Sequence, residues 1–311
     1  MSGAPLLPVE EALARILALL APVGTQTVPL DAAAGRVLAA PARARRTQPP
    51  FAASAMDGYA VRAADVVPGA ALRLIGEAQA GARFDGAVGP GEAVRIFTGA
   101  PVPPGADAIL IQEDAERPGG DVVRVGPAPD AGPHVRAAGV DFSEGDALAA
   151  PRRLSAQDAA LLAAFDLAEV EVRRRPVVAL LPTGDELVEP GEARGPDQIV
   201  SSNAFGLAAM LAAQGAAPDR RRAAPDDPAA LRAALEDAAR GADLVVTLGG
   251  ASVGERDLVR AVGEAAGLSV EFHRIAMRPG KPLLAGRLGG VPMVGLPGNP
   301  VSAMVCGHLF L

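Results

Sequence analysis

Four short segments in the C-terminal half of the chain combine glycine or proline with charge or hydroxyl groups. They are Thr183-Gly184-Asp185-Glu186, the run from Gly249 and Gly250 through Ser252 and Gly254 to Asp257, Arg278-Pro279-Gly280-Lys281, and Pro297-Gly298-Asn299-Pro300 followed by Ser302. Glycines let backbone N–H groups approach an oxyanion, and a helix N-terminus adds partial positive charge. Pro300 is placed to open a helix, which puts Ser302 in a first turn where an oxyanion can dock. The acids Asp185, Glu186, Asp226 and Asp257 would repel a phosphate unless a hard cation lies between, and Mg²⁺ suits carboxylates combined with substrate oxygens. Lys281 is the only lysine among 29 basic residues, a point charge suited to an anion. The glycines fit neither GxGxxG nor the phosphate loop, since Pro282 follows Lys281 where that loop needs Ser or Thr. Cys306 between Val305 and Gly307 has no adjacent base, so it reads as core.

Each of these segments follows an apolar run. PVVALL, DLVVTL, SVEFHRIAM and VPMVGL read as strands, and continuous apolar runs of this kind suit a parallel sheet buried on both faces. Helical patterns alternate with them over 204–214, 228–240 and from Pro300 onward. Asn203 is expected to cap the first and Asp227 the second, with Gly215 as a stop. Ligands of open α/β sheets sit beyond the carboxyl ends of the strands, where all four segments fall.

The N-terminal half has a different texture. Residues 8–20 form an amphipathic helix with Val9, Leu13, Ile16, Leu17 and Leu20 on one stripe, and 30–38 reads as a short second helix. From 51 to about 140, short apolar runs alternate with Gly and Pro turns, as in an all-β module. Ser155 and Asp158 have capping-box spacing for a helix reaching about Phe165.

Composition narrows the function. At ~100–200 residues per domain, 311 residues predict two or three domains. The net charge is −7 and Trp is absent, which argues against nucleic acid as a partner. One cysteine excludes an internal disulfide framework, and three scattered histidines do not suit zinc. No apolar run approaches the ~18 residues of a membrane span, and the N-terminus lacks a signal-peptide pattern, so the expected location is the cytoplasm.

The segments SAMDGYAVR (54–62), RIFTGAPVPPGADAIL (95–110), TGDEL (183–187), GGASVGERD (249–257), RPGKP (278–282) and GLPGNPVSA (295–303) share an order and spacing. In this they resemble the molybdopterin molybdenumtransferases, whose family includes the gephyrin E domain. The resemblance runs from about residue 5 to the last residue. It implies insertion of molybdenum from molybdate into adenylylated molybdopterin, with Mg²⁺-dependent release of AMP, by a homodimer, with a molybdopterin adenylyltransferase as a further partner. It also implies catalytic roles for Asp57, Thr98, Asp141, Glu186, Asp226, Asp257 and Lys281, with Asp57, Glu186, Asp226 and Asp257 holding the metal. Thr183, Gly184, Gly249, Gly250, Ser252, Gly254, Arg278, Gly280, Pro297, Gly298, Asn299, Pro300 and Ser302 would bind the substrate.

The fold expected on this basis is multidomain α/β. Residues 1–50 plus 140–175 form an N-terminal linker domain, 51–139 an inserted β module, and 176–311 a three-layer parallel-sheet domain of the molybdopterin-binding kind. Three features depart from the family pattern. Leu248-Gly249-Gly250-Ala251 replaces Ser-Gly-Gly-Val, Arg278 replaces a lysine, and a further small β domain is absent. The chain ends at HLFL inside its expected last helix, so missing C-terminal sequence is expected, with Val305, Leu309, Phe310 and Leu311 partly uncovered. Two alternatives remain: an adenylyltransferase, whose fold resembles the C-terminal domain, and a non-catalytic molybdopterin-binding or scaffold paralogue.

Overall fold

A computed structural model describes residues 6–130, 132–250 and 258–311. The chain divides into two compact units. One holds the residues up to Gln26, Gly35–Val37 and Glu171–Leu311; the other holds Thr27–Ala34 and Leu38–Val170. These partings differ from the expected linker and module boundaries. The reason for the first is packing: Ala12 and Ile16 of α1 (Val9–Leu19) are buried in the α/β core rather than in a linker domain.

The α/β unit contains β1 (Val177–Pro182), α2 (Asn203–Gln214), β2 (Ala217–Arg220), α3 (Pro228–Ala239), β3 (Leu244–Leu248), α4 (Leu258–Ala265), β4 (Leu268–Arg274), β5 (Pro282–Leu288), β6 (Val291–Leu296) and α5 (Pro300–Phe310). The sheet order is β2-β1-β3-β6-β5-β4. The first four strands are parallel, with Leu180 opposite both Arg220 and Val246, and Val246 opposite Val294. The other two are antiparallel additions, so the sheet is mixed rather than wholly parallel. Because β5 reverses and β4 reverses again, β4 ends at the same edge as β1, β3 and β6. The segment 278–281 therefore still belongs to the carboxyl edge.

Strand alternation sorts the core into two faces. Val178, Leu180, Val246, Leu248, Val294 and Leu296 pack with α1, α2 and α5. Ala179, Leu181, Val245, Leu284 and Met293 pack with α3 and α4. This gives three layers, each helix burying one stripe. Asp227 caps α3, its carboxylate accepting from the Ala230 N–H at 2.8 Å, and Gly215 ends α2 at φ 103°. Phe310, expected to lie uncovered, is buried in the first core, whereas Val305 and Leu309 are exposed.

The second unit is built on a six-stranded sheet ordered Ala108–Ile111, Gly58–Val61, Glu92–Ile96, Ala71–Ala78, Val122–Val125, Ala115–Gly119. Its two faces carry separate cores, Tyr59, Val61, Leu72 and Val123 on one and Ala60, Val94, Ile96 and Ile109 on the other. The helix expected over 30–38 is a single 3₁₀ turn, Leu30–Ala32, followed by Gly35 in the left-handed region and a two-residue strand. Glycine there ends the helical register that the apolar spacing suggested. Helix Ala156–Ala164 begins with the expected capping box, and Arg152 adds an ion pair to Asp158 at 2.9 Å. No described helix is long and apolar enough to cross a membrane.

Two outcomes follow from this packing. Leu235 is fully buried under α3, so Leu235→Ala should cost about 2–5 kcal/mol in urea unfolding. The Ser155 N–H, then Arg152, hold the Asp158 carboxyl down at about 2, against an ordinary 3.8. A depressed carboxyl stabilises the folded state above its unfolded value and loses that contribution as pH falls through its folded one. Asp158→Asn should therefore be less stable than the parent at neutral pH, and the gap should close as pH falls from 3.8 to about 2 in acid-titrated thermal unfolding.

Candidate functional site

The carboxyl edge of the parallel strands opens into a cavity of about 580 Å³. Its floor is made where three chain segments touch backbone to backbone. The Thr183 N–H donates to the Leu248 carbonyl at 3.0 Å, and the Gly249 N–H donates to the Leu296 carbonyl at 3.2 Å. A Cβ on Gly249 would lie 2.9 Å from the Thr183 carbonyl, and one on Gly298 would lie 3.3 Å from the Gly249 Cα. Gly249 and Gly250 also sit at φ 96° and 67°, a region that side chains disfavour. These glycines close the strand ends.

Three polar side chains give the cavity its chemistry. Glu186 is the only charged side chain among the described residues that line it. Gly184, at φ 137°, lets the Glu186 carboxylate fold back over the loop, because a Cβ there would sit 2.2 Å from Oε2. Thr183 is 4% exposed, and its Oγ1 has no hydrogen-bond partner among the described residues. A buried hydroxyl of this kind is costly unless something satisfies it, and here it borders a cavity. Ser302 also lines the cavity, but Asn299 claims its amide and hydroxyl: the Asn299 Oδ1 accepts from them at 3.1 and 3.3 Å. The first turn of α5 is therefore internally capped at Ser302.

Asn203 does not cap α2 as expected; Ser202 holds the cap position, and the Asn203 amide instead donates to the Gly298 carbonyl at 2.8 Å. It fixes the 297–300 loop across the cavity mouth. It was missed as a site residue because an Asn at a helix start carries the same local signal whether it caps or reaches out. Ser201 and Ser202 also line the cavity. Their position comes from the parallel pairing of Leu187–Val188 with Ile199–Val200, which no short-range pattern announces.

Of the residues singled out in this unit, Thr183, Glu186, Gly249, Gly250, Pro297, Gly298, Asn299, Pro300 and Ser302 line the cavity. Gly184, Asp226, Arg278, Gly280 and Lys281 do not. Asp226 meets Asp185 through its backbone, its N–H donating to the Asp185 carboxylate at 3.1 Å, and its own carboxylate is exposed. Arg278 and Lys281 are exposed, while Gly280 is buried where a Cβ would strike Met277 and Cys306. Cys306 is core, and burial pushes its thiol up to about 11. Ser252, Gly254 and Asp257 lie outside the described residues.

Asp57, Thr98 and Asp141 belong to the other unit. Antiparallel pairing of Gly58 with Ile96 brings the first two together. The Thr98 N–H and hydroxyl both donate to Asp57 Oδ1 at 2.8 Å. The Thr98 N–H, then its hydroxyl, with Arg95 nearby, hold the Asp57 carboxyl below the usual range, so it stays ionised. Arg95 is itself fixed over the Tyr59 and Phe97 rings, at 5.1 and 4.7 Å from their centroids. Asp141 is paired with Arg136 at 2.9 Å. Among the described residues, no three His, Cys, Asp or Glu side chains come together as a metal site.

Comparison with known proteins assigns the two halves. Residues 7–165 match the MoeA N-terminal region (domains I and II), and 179–311 match a probable molybdopterin binding domain. The α/β unit is thus of the molybdopterin-binding class. Molybdopterin molybdenumtransferases from Nostoc sp. and Haemophilus influenzae are each 38% identical to this chain, covering 90% and 91% of it. A crystal structure of a molybdopterin biosynthesis MoeA protein from Pyrococcus horikoshii OT3 superposes with a TM-score of 0.84 at 30% identity, covering 98% of this chain and 77% of that one. The chain belongs to the molybdopterin molybdenumtransferase family. It spans 66% of the Nostoc relative and 70% of the Haemophilus one.

The cavity floor can be tested without substrate. Gly184→Ala should turn the Glu186 carboxylate away from the loop, and Gly250→Ala should press on Val259, where a Cβ would lie 2.2 Å from Cγ2. Crystal structures of both variants should show the carboxylate and the α4 start displaced, with Gly250→Ala costing about 1–3 kcal/mol in unfolding.

Proposed function

We propose that this chain inserts molybdenum from molybdate into adenylylated molybdopterin, with Mg²⁺-dependent release of AMP. The observation that carries the reading is the carboxyl-edge cavity, where a lone carboxylate, a buried unpartnered hydroxyl and glycine-rich strand ends face one space. A pterin bearing a phosphate chain needs room, donors for its oxygens and one site for a cation. Family membership and the matches to named molybdenumtransferases support the same substrate class.

The residues fit Mg²⁺ in the way that ion usually binds. It takes one or two carboxylates together with phosphate oxygens and water, rather than a cage of protein ligands. Glu186 supplies such a carboxylate at the cavity. When bound, the cation would neutralise the charge that builds on the phosphates as AMP leaves.

The chain's own groups do the positioning. The Thr183 hydroxyl donates to a substrate oxygen, and the Asn203–Gly298 tie keeps the 297–300 loop from yielding. Arg278 and Lys281, both solvent-facing on the segment after β4, supply positive charge for molybdate, and arginine adds bidentate geometry toward its oxygens. Adenylyl transfer, the rival chemistry, leaves the match over residues 7–165 without a purpose. The homodimer and substrate hand-over from an adenylyltransferase belong to the same proposal.

Incubating the chain with adenylylated molybdopterin, molybdate and Mg²⁺ and measuring AMP by chromatography tests the reading. Glu186→Ala and Asp57→Asn should each lower AMP release ~10²-fold or more, the scale of removing one preorganised electrostatic group. Lys281→Ala should raise the molybdate needed for half-maximal insertion about tenfold, one charge-assisted contact. Unchanged AMP release in both carboxylate variants at saturating Mg²⁺ would defeat the proposal.

A further inference from the structure

At the carboxyl-edge cavity, α2 starts without a cap. Ser202 holds the cap position but makes no side-chain cap bond, and the Asn203 amide is committed to the Gly298 carbonyl at 2.8 Å. Ser202 already has helical dihedrals, φ −105° and ψ −31°, and its carbonyl accepts from the N–H groups of Phe205 and Gly206 at 3.1 and 3.3 Å. The helical turn therefore begins at Ser202, and the N–H groups of Ser202 and Asn203 belong to the first turn, where no intrahelical acceptor exists. Neither has an acceptor among the described residues. Both residues line the cavity.

A second observation lies one residue earlier. Ser201 is 4% exposed and lines the same cavity. Its N–H donates to the Val188 carbonyl at 2.8 Å, but its hydroxyl has no hydrogen-bond partner among the described residues. A hydroxyl held this deep without a partner is destabilising unless a ligand or a water satisfies it. The bond to Val188 continues the parallel pairing of Leu187–Val188 with Ile199–Val200, so strand pairing fixes where the hydroxyl sits.

We infer that the start of α2 seats the phosphate chain of the substrate, a phosphate oxygen accepting from the Ser202 and Asn203 N–H groups and from the Ser201 hydroxyl. This deepens the proposed reaction and rests on it for the identity of the ester. The ligand class follows from the donors: N–H groups at a helix start, joined by a hydroxyl, suit a tetrahedral oxyanion. No cationic side chain lines the cavity among the described residues, so the positive end of α2 is the favourable field there. Leu187, Ile199 and Val200 add an apolar wall beside these donors, which covers the organic part of an ester and would be left bare by a free inorganic anion. A neutral ring alone would leave the three donors unpaired. The Glu186 carboxylate in the same cavity opposes an anion that comes without a cation, so Mg²⁺ belongs in the test.

Calorimetric titration of the chain with AMP and with adenosine, both in Mg²⁺, tests it. AMP should bind saturably and about tenfold or more tightly than adenosine, the scale of hydrogen bonds to a charged group. In amide-resolved NMR spectra AMP should move the Ser202 and Asn203 resonances, and adenosine should leave them in place. Ser201→Ala should lower AMP affinity about tenfold and leave adenosine unchanged. Ser202→Asp sets a carboxylate against the same donors. It should reduce AMP to the affinity of adenosine while thermal unfolding stays at or above the parent, since an acid favours a helix start. Where Ser202→Asp does not fold, the resonances and Ser201→Ala decide. Equal affinity of AMP and adenosine for the parent, unmoved Ser202 and Asn203 resonances, or an AMP preference that survives either variant would overturn the inference and leave the proposed reaction to its own test. AMP held as described by a chain that releases none from adenylylated molybdopterin would overturn that reaction and leave this site standing.

Discussion

The site depends on how closely the backbone can be packed at the carboxyl edge of the parallel strands. Thr183, Gly249 and Gly298 come from three separate segments, and they meet with no room for a Cβ between them. That contact sets the depth of the cavity, aims the Thr183 hydroxyl region inward and fixes where the first turn of α5 begins. At Gly249 glycine is required for two reasons at once, left-handed φ and lack of volume, and no other residue type meets both. The apolar residues on both faces of the sheet are what make such a tight edge tolerable. They hold the strands so firmly that the loops have little freedom left to pay for.

The electrostatic design differs between the units. In the α/β unit the cavity carries one carboxylate and otherwise presents hydroxyls, amides and backbone, a surface suited to an anionic ligand that brings its own cation. Its two conspicuous cations, Arg278 and Lys281, stand in solvent beside the edge. In the β-rich unit an acid is instead locked into its ionised form by two donors from one residue, Thr98. Such an arrangement keeps the carboxylate both charged and fixed in direction, which an exposed aspartate on a turn would not otherwise be.

The same economy is visible at Ser302. A helix N-terminus offers donors only while they remain unspent, and in α5 the Asn299 side chain satisfies the Ser302 amide from within. The motif Gly298-Asn299-Pro300 shapes the cavity wall. Asn203 completes that wall from the opposite side.

The sequence by itself determined the strands, their carboxyl-end loops and the family. Buried parallel strands announce themselves as continuous apolar runs, and the capping signals of Asp227, Ser155 and Gly215 act within three or four residues, so local pattern suffices for them. It also marked half of the cavity residues, because glycine and proline at a strand end are visible as such. Tertiary structure decided the rest. That Asp57 and Thr98 share one hydrogen-bonded pair depends on a register between strands more than 30 residues apart, and that β5 and β4 turn the sheet antiparallel depends on which edge was left to pair. Whether Asn203 caps its own helix or holds a loop nearly a hundred residues away was likewise settled only by packing. The physical reason is common to all of these. A side chain's local options are nearly degenerate in energy, and long-range contacts, whose partners the neighbouring sequence does not name, choose among them.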